Sequence, residues 1–423
     1  MLDFQVAIIP QENYDKSEIA LKIGTYFDQA GYNFKEKTVL IKPSFVFAIG
    51  DAERTLSTNT NVALIYGVAQ ALSIRGASKI LIAEDRTIGP ARYAFYMINI
   101  KKTVNGIKNV KMCYLDEKKK VKVLVNNPFI PNHIIKYPKL LIDDTVDFFI
   151  SLPKLKANIF ADITLSIKNN LGLISKKERL KFHDDRLHMH LADIALIRQP
   201  DLIIADAIVS GEGQGPYETT NVYTNMLVVG TNCLAVDVVC CYLMDQNPSE
   251  IEHLKILHER GIGPLNINDI DIKNKNYLDT KKKKFKMPDR NLEMSPSIKV
   301  YLGKKSCQAG CLGMIRAFLD GYSIKKGWDS LGELNLILGE NIEIPKNELD
   351  KLNKKNTIVY GDCAKEYKKY GIYFKGCPPD YVKALLKMSL KSSLGKSPWF
   401  EYFSPWNYVK AWIVHILQKI FRF

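Results

Sequence analysis

Lysine, glycine and aspartate recur in this chain wherever a short apolar run gives way to polar residues. Ile41-Lys42-Pro43-Ser44 is one such place, followed by Thr58-Asn59-Thr60 at a helix start. Ala83-Glu84-Asp85-Arg86-Thr87 is a second, and Ser151-Leu152-Pro153-Lys154-Leu155-Lys156-Ala157-Asn158 a third. Ser166-Ile167-Lys168-Asn169-Asn170-Leu171-Gly172 leads on to Arg179 and His183. Asp206 opens a run that reaches Gly211-Glu212-Gly213-Gln214-Gly215-Pro216, and Ala235-Val236-Asp237 closes the series. Lys42, Lys154, Lys156 and Lys168 gathered at one mouth would receive an anion, with the backbone N–H groups of Gly211, Gly213 and Gly215 as further donors. Ser44, Asn158 and Asn169 would add polar contacts, and Lys168 is the cation expected to take part in chemistry. Asp85, Asp206 and Asp237 would balance this charge, bind a cation, or act as acid and base. The structural alternative is that Asp237 caps the helix it begins and Asp206 closes a turn.

The cysteines offer a different chemistry. Cys307-Gln308-Ala309-Gly310-Cys311 puts two thiols on one helix face or one loop. Cys363 follows the strand-like run Thr357–Tyr360, and Cys377 lies in Gly376-Cys377-Pro378-Pro379. A close pair and two strand ends can enclose a [4Fe–4S] cluster, which needs four soft ligands from different directions. Structural zinc is the alternative, although the spacing is not that of a ribbon with two Cys-x-x-Cys knuckles. Cys233, Cys240 and Cys241 read as buried hydrophobes on an apolar helix, and Cys113 has no evident partner. His183, His188 and His190 crowd one stretch. They lack the i, i+4 spacing of a zinc-protease helix, and His188 and His190 read as local caps or surface groups.

These residues need a frame that brings strand ends together. Phe4–Ile9, Thr38–Ile41, Lys79–Ala83, Val146–Ser151, Leu202–Asp206 and Met226–Val229 read as strands, most of them continuously apolar, as in parallel sheets covered on both faces. Amphipathic segments lie between them, such as Ser17–Gln29 and Val62–Arg75, the latter followed by the C-cap signal Gly76. The rhythm predicts an α/β fold: an open, doubly wound, mostly parallel sheet with helices on both faces. Ligands of such sheets sit outside the carboxyl ends of the strands. A smaller C-terminal cysteine-bearing α/β module and an amphipathic terminal helix complete the expected architecture. The expected divisions are 1–272 for the crevice-bearing domain, 294–389 for the cysteine module, and 391–423 for a linker and terminal helix.

At this point a resemblance becomes specific. Lys42-Pro43, Pro153-Lys154-Leu155-Lys156, Lys168-Asn169 with Gly172, His183, the loop from Asp206 through Gly213-x-Gly215-Pro216, and Ala235-Val236-Asp237 are similar, in order and spacing, to the signature of the family called domain of unknown function 362. The resemblance covers about Thr38–Gly263. It implies that His183 is an acid/base or substrate contact. The chain departs from the family pattern at Ser44, at Glu84-Asp85-Arg86 and at Asn158, where the family usually has Asn, Gly-Asp-Ser and His. The Gly-Cys-Pro-Pro element, with its preceding strand and Gly-x-Cys, resembles the cluster-ligating element of nickel–iron hydrogenase small subunits over about Ile358–Leu386.

The bulk composition fits this frame. An apolar fraction of 46% and a charged fraction of 25% are those of a globular protein. Lys and Arg total 60 against 45 acidic residues, a formal charge of +15 that favours anionic partners. The blocks Lys118–Lys120 and Lys281–Lys284 read as turn or edge decoration, and no basic module interleaved with aromatics points to nucleic acid. Met1-Leu2-Asp3-Phe4-Gln5 lacks the regions of a signal peptide, so a cytoplasmic location is expected. Near the end, helical spacing puts Val409, Trp412, Ile413, Ile416, Leu417 and Ile420 on one face and His415, Gln418, Lys419 and Arg422 on the other. A basic amphipathic helix of this kind fits an anionic membrane surface, contacted through 399–423; a helix docked on protein is the alternative.

The expected function is that of an iron–sulfur redox protein, as an oxidoreductase, peripheral at the membrane. It would deliver electrons to an anionic or lipid-like substrate, with His183 or Asp85 supplying protons and a ferredoxin-type carrier as electron donor. Its rivals are a non-redox, anion-binding or transferase-like enzyme with a structural metal, and a cluster carrier without its own substrate.

Overall fold

The computed structural model describes residues 4–46, 52–85, 90–323, 327–328, 332–380, 384, 412–413 and 416–417. Most apolar runs form strands where their spacing predicts them: β1 (Gln5–Pro10), β2 (Thr38–Pro43) and β3 (Lys79–Glu84). Next come β4 (Val110–Tyr114) and an antiparallel hairpin of β5 (Lys120–Leu124) and β6 (Ile134–Pro138). They are followed by β7 (Phe148–Leu152), β8 (Lys154–Asn158), β9 (Asp162–Thr164), β10 (Leu202–Gln214), β11 (Glu218–Gly230) and β12 (Asp271–Lys273).

The main sheet runs β12-β1-β11-β10-β7-β2-β3-β4, with β8 and β9 joined beside β10. Along that path neighbours are parallel except at β1–β11 and β10–β11. The chain lays β3 and β4 on one side of β2 and returns to place β7 and β10 on the other. The direction of winding therefore reverses between β2 and β7, where Lys42 stands opposite Ser151. Such a switch point is where a doubly wound sheet opens a crevice beyond its strand ends.

Helices flank this sheet because their apolar faces must be covered. Lys16–Gln29 buries Ile19, Ile23 and Phe27, and Asp15 caps it by accepting from the N–H groups of Ser17 and Glu18. Val62–Ile74 buries Leu64, Ile65, Val68 and Leu72. Both pack into one core with Val39, Ile41, Ile80, Ile82, Ile150 and Ile204 of the strands. The helix Cys233–Leu243 is apolar almost all round and buried accordingly, Cys233, Cys240 and Cys241 included.

A second, smaller sheet holds β13 (Ile298–Leu302), β14 (Leu334–Leu338), β15 (Thr357–Tyr360) and β16 (Ile372–Phe374), in that order and all parallel. The chain divides into two compact units. One holds Met1–Lys176 and His188–Pro288 together with Ala411–Phe423, and the other holds Lys177–Leu187 and Asp289–Lys410. The main division between the units lies at Pro288/Asp289. It is set where Asp289 and the carbonyl of Asn291 accept from Arg316 of the helix Met314–Ser323. The sequence gives no sign that Lys177–Leu187 joins the second unit.

The expected linker 391–398 lies outside the described residues, as does most of the terminal helix. Trp412, Ile413, Ile416 and Leu417 are helical and exposed. Among the described residues no helix is long and apolar enough to cross a membrane.

Candidate functional site

The carboxyl end of β2 buries a charge. Lys42 is 1% exposed, and its ammonium donates to Glu84 Oε2 at 3.1 Å, Asn169 Oδ1 at 3.1 Å and its neighbour's carbonyl at 3.0 Å. Glu84, at the end of β3, also accepts from the N–H groups of Phe45 and Asp85. Asn169 donates to Ser151 Oγ at 2.9 Å and so ties β2 to β7 across the switch point. Gly172 closes over this ion pair. A Cβ there would lie 2.7 Å from Lys42 Nζ and 2.8 Å from Glu84 Oε1, which accounts for a glycine at that position.

β8 runs beside β10 and alternates Lys154, Leu155, Lys156, Ala157, Asn158, so both lysines share one face. Burial on both sides follows from its position among other strands. Lys154 Nζ lies 3.1 Å from Asp206 Oδ2 and donates to the hydroxyl of Tyr14 at 2.8 Å. Tyr14 donates to Asp206 Oδ1 at 2.8 Å, and the N–H of Asn61 reaches Oδ2 at 2.9 Å. Burial, then the charge of Asp206, raises the Tyr14 pKa well above its ordinary value, keeping it protonated.

Lys156 differs. It is wholly buried, its ammonium donates to the carbonyl of Thr58, and among the described residues no carboxylate pairs with it. Burial, then the charges of Lys168 and Lys154, pushes its pKa well below the ordinary lysine value. A buried cation without a counter-charge is costly. An anion beside it would supply what the fold leaves out.

Lys168 and Asn169 sit on the short helix Ser166–Asn169. Asp237 fixes that helix: it accepts from the N–H and hydroxyl of Ser166 and from the N–H of Ile167 at 3.2 Å. It thus caps a neighbouring helix, whereas the sequence suggested its own. Burial outweighs these bonds and raises its pKa to about 7. Lys168 also lies within electrostatic reach of His253. His253 is buried, with its Nδ1 3.0 Å from His188 Nδ1. His188 and His190 are therefore buried groups and not surface ones.

Other expected residues turn inward. Asn158 accepts from the N–H groups of Phe160 and Ala161 and donates to Thr164, closing the β8–β9 turn. Gly213 donates its N–H to Lys286 and Gly215 to Gly213. Ser44 exchanges bonds with Thr60. Asp85 pairs at 2.8 Å with Lys120, which the sequence marked as surface decoration. Tyr14 and Asn61 carried no signal in the sequence.

In the second unit the cysteines follow strand ends. Cys307 lies beyond β13, Cys363 beyond β15 and Cys377 beyond β16. The thiol of Cys311 donates to Cys307. With the N–H groups of Cys311 and Gly310, this lowers the Cys307 pKa to about 7 and holds the shared proton on Cys311. Gly310 must be a glycine, because a Cβ would meet the His183 carbonyl at 2.6 Å, Cys307 Sγ at 3.1 Å and Pro378 at 3.3 Å. Its closeness brings the Cys307 turn against the Cys377-Pro378 turn. Burial, then the charges of Cys363 and Cys307, raises the Cys377 pKa to about 11. His183 belongs to this unit, with its Nδ1 2.8 Å from the Arg179 carbonyl.

Among the described residues no three His, Cys, Asp or Glu side chains stand close enough to hold one metal ion. A tetrahedral zinc draws four ligands to one point. A cubane takes its ligands from around a larger body, and Cys307, Cys311, Cys363 and Cys377 lie on three turns of this unit.

Comparison with known proteins gives a frame for these sites. Residues 39–242 match a family described as Domain of unknown function (DUF362). That span contains Lys42, Glu84, Lys154, Lys156, Lys168, Asn169, Asp206 and Asp237, and omits Tyr14 and the cysteine-bearing sheet. The thylakoid-associated protein sll1697 of Synechocystis sp. is 27% identical over 124 residues, which are 28% of this chain and 39% of that protein. The chain thus matches well under half the length of this relative. A crystal structure of a Thermotoga maritima protein aligns over 80% of this chain and 76% of its own, at 10% identity and a TM-score of 0.32, too distant a likeness to argue from.

Two outcomes follow. Replacing Lys156 with Met removes an unmatched buried cation, so the ligand-free variant should be more stable than the parent by about 1 kcal/mol or more. Inorganic phosphate, as a probe anion, should raise the thermal midpoint of the parent and not of the variant. For Asp237, the folded pKa of about 7 stands above the ordinary 3.8. The folded chain therefore holds a proton that the unfolded chain releases, and this contribution is full below pH 3.8 and lost as pH rises through 7. Denaturant midpoints measured across that window should fall less steeply in Asp237→Asn.

Proposed function

We propose that this chain is an iron–sulfur redox protein that acts on an anionic molecule. The reading rests first on Lys156, on a strand paired with β10, whose buried ammonium lacks a carboxylate partner among the described residues and lies within electrostatic reach of Lys168. An anion there would be held by Lys156 and Lys168. Lys42 and Lys154, already matched by Glu84 and Asp206, keep the walls rigid. Asp85 is the carboxylate assigned to proton transfer on the strand ends, and its ion pair with Lys120 would have to open for it to act.

The redox half rests on Cys307, Cys311, Cys363 and Cys377. These residues would ligate a [4Fe–4S] cluster, with the thiolate-prone Cys307 entering first. The cluster, when bound, would supply single electrons, received from a ferredoxin-type carrier. His183, whose backbone carbonyl lies against Gly310, is the histidine we assign to move a proton in this unit.

A membrane contact is part of the same reading. Trp412, Ile413, Ile416 and Leu417 are exposed at helical spacing, and Lys410, Lys419 and Arg422 accompany them in a stretch without acidic residues. Such a helix lies in an anionic lipid surface, and a relative bears the name thylakoid-associated.

Protein purified without oxygen should carry about four irons per chain and a broad visible absorption that bleaches on reduction. Cys363→Ser should diminish both. One zinc per chain with a featureless visible spectrum would overturn the redox reading and leave a non-redox anion-binding enzyme. The full chain should also co-sediment with vesicles containing phosphatidylserine, more weakly when Ile413 and Leu417 are changed to Ser. Equal sedimentation of the two would remove the membrane contact.

A further inference from the structure

Tyr360 is the last residue of β15, and Gly361-Asp362-Cys363 follows it directly. The turn after it is held in place: Gly361 donates to Phe374, Asp362 donates to Gly376, and Gly376 returns a bond to the Asp362 carboxylate at 2.9 Å. Those bonds set the Cys363 turn against the Cys377 turn. The ring of Tyr360 lies with its centroid 6.2 Å from that of Phe374, at the end of β16.

The side chain is 1% exposed, and its hydroxyl, shut off from solvent, has no hydrogen-bond partner among the described residues. A buried hydroxyl without a partner is rare in folded proteins and calls for a reason. Its neighbours supply one. The hydroxyl lies within electrostatic reach of Cys311, Cys307 and Cys377. Among these sulfurs an O–H group has acceptors to find once they become thiolates bound to iron. Burial and the same three sulfurs also hold the phenol protonated, so it stays a donor.

We propose that the Tyr360 hydroxyl donates a hydrogen bond to a sulfur of the iron–sulfur cluster, either a cysteine Sγ or an inorganic sulfide, and so raises its reduction potential. The inference rests on the cluster proposed above and deepens it. Reduction adds one electron to the cluster and leaves its bonds intact. The added negative charge is shared with the sulfurs, and a donor aimed at them favours the reduced state over the oxidised one. Phenylalanine at 360 would keep the packing on Phe374 and remove the donor alone.

The test is a redox titration of the anaerobic full-length protein, following the visible absorption and the electron paramagnetic resonance of the reduced state. Tyr360→Phe should retain its iron and show a lower midpoint potential than the parent. Site-specific 3-fluorotyrosine at 360, a stronger donor, should shift the potential upward. Equal potentials in all three proteins would overturn the inference while leaving the cluster standing. If Tyr360→Phe loses its iron, the fluorotyrosine protein decides, and an unchanged potential there overturns the inference. Absence of iron from the parent would instead overturn the reading beneath it, and iron content reveals this before any potential is measured.

Discussion

Burying an ammonium group is the constraint on which the first unit depends. Lys42, near the carboxyl end of β2, and Lys154 and Lys156, in β8, are all shut away from water. A lysine so placed must find a counter-charge, lose its proton or destabilise the fold. Glu84 answers Lys42, and Asp206 answers Lys154 with help from Tyr14. Much of the local structure follows from these answers. Gly172 is small because the Lys42–Glu84 pair fills its space, and Asn169 is placed by a helix whose first turn Asp237 holds. Lys156 breaks the pattern: among the described residues no carboxylate answers it, and burial pushes its pKa well below the ordinary lysine value.

The second unit obeys the same geometry with different chemistry. All four strands of its sheet are parallel, so their carboxyl ends open on one side. Cys307, Cys363 and Cys377 follow three of those ends, and Cys311 joins Cys307 through a shared proton. Glu340, after the remaining strand, stands 3.7 Å from the Cys363 sulfur. Burial first, and then the charges of Cys363 and Cys307, raise the Cys377 pKa. Iron would relieve that repulsion, as an anion would relieve the isolation of Lys156.

The sequence showed the strands β1, β2, β3 and β7, the start of β10 and the end of β11, because continuous apolar runs are hard to mistake. It also marked the lysines, since polar residues where such runs stop are unusual. What it could not show is which charge meets which. Tyr14 and Asp206 are 192 positions apart, and no local pattern records their bond. Lys120 looked like one lysine in a basic block until the hairpin after β4 brought it to Asp85. His188 and His190 read as local caps or surface groups, yet both are buried. The grouping of His183 with the cysteines is a tertiary fact of the same sort. It depends on the close approach that Gly310 permits.

The most direct test of this account is the pKa of Lys156 in the ligand-free protein. Nuclear magnetic resonance of isotopically labelled lysine, with Lys156→Met to assign the signal, would measure it. The account predicts a titration well below the ordinary lysine value of about 10.4, moving upward when phosphate is added. A titration at the ordinary value in the free protein would mean that Lys156 already has its counter-charge. The central claim, that the fold leaves one buried cation for an anion to complete, would then be wrong.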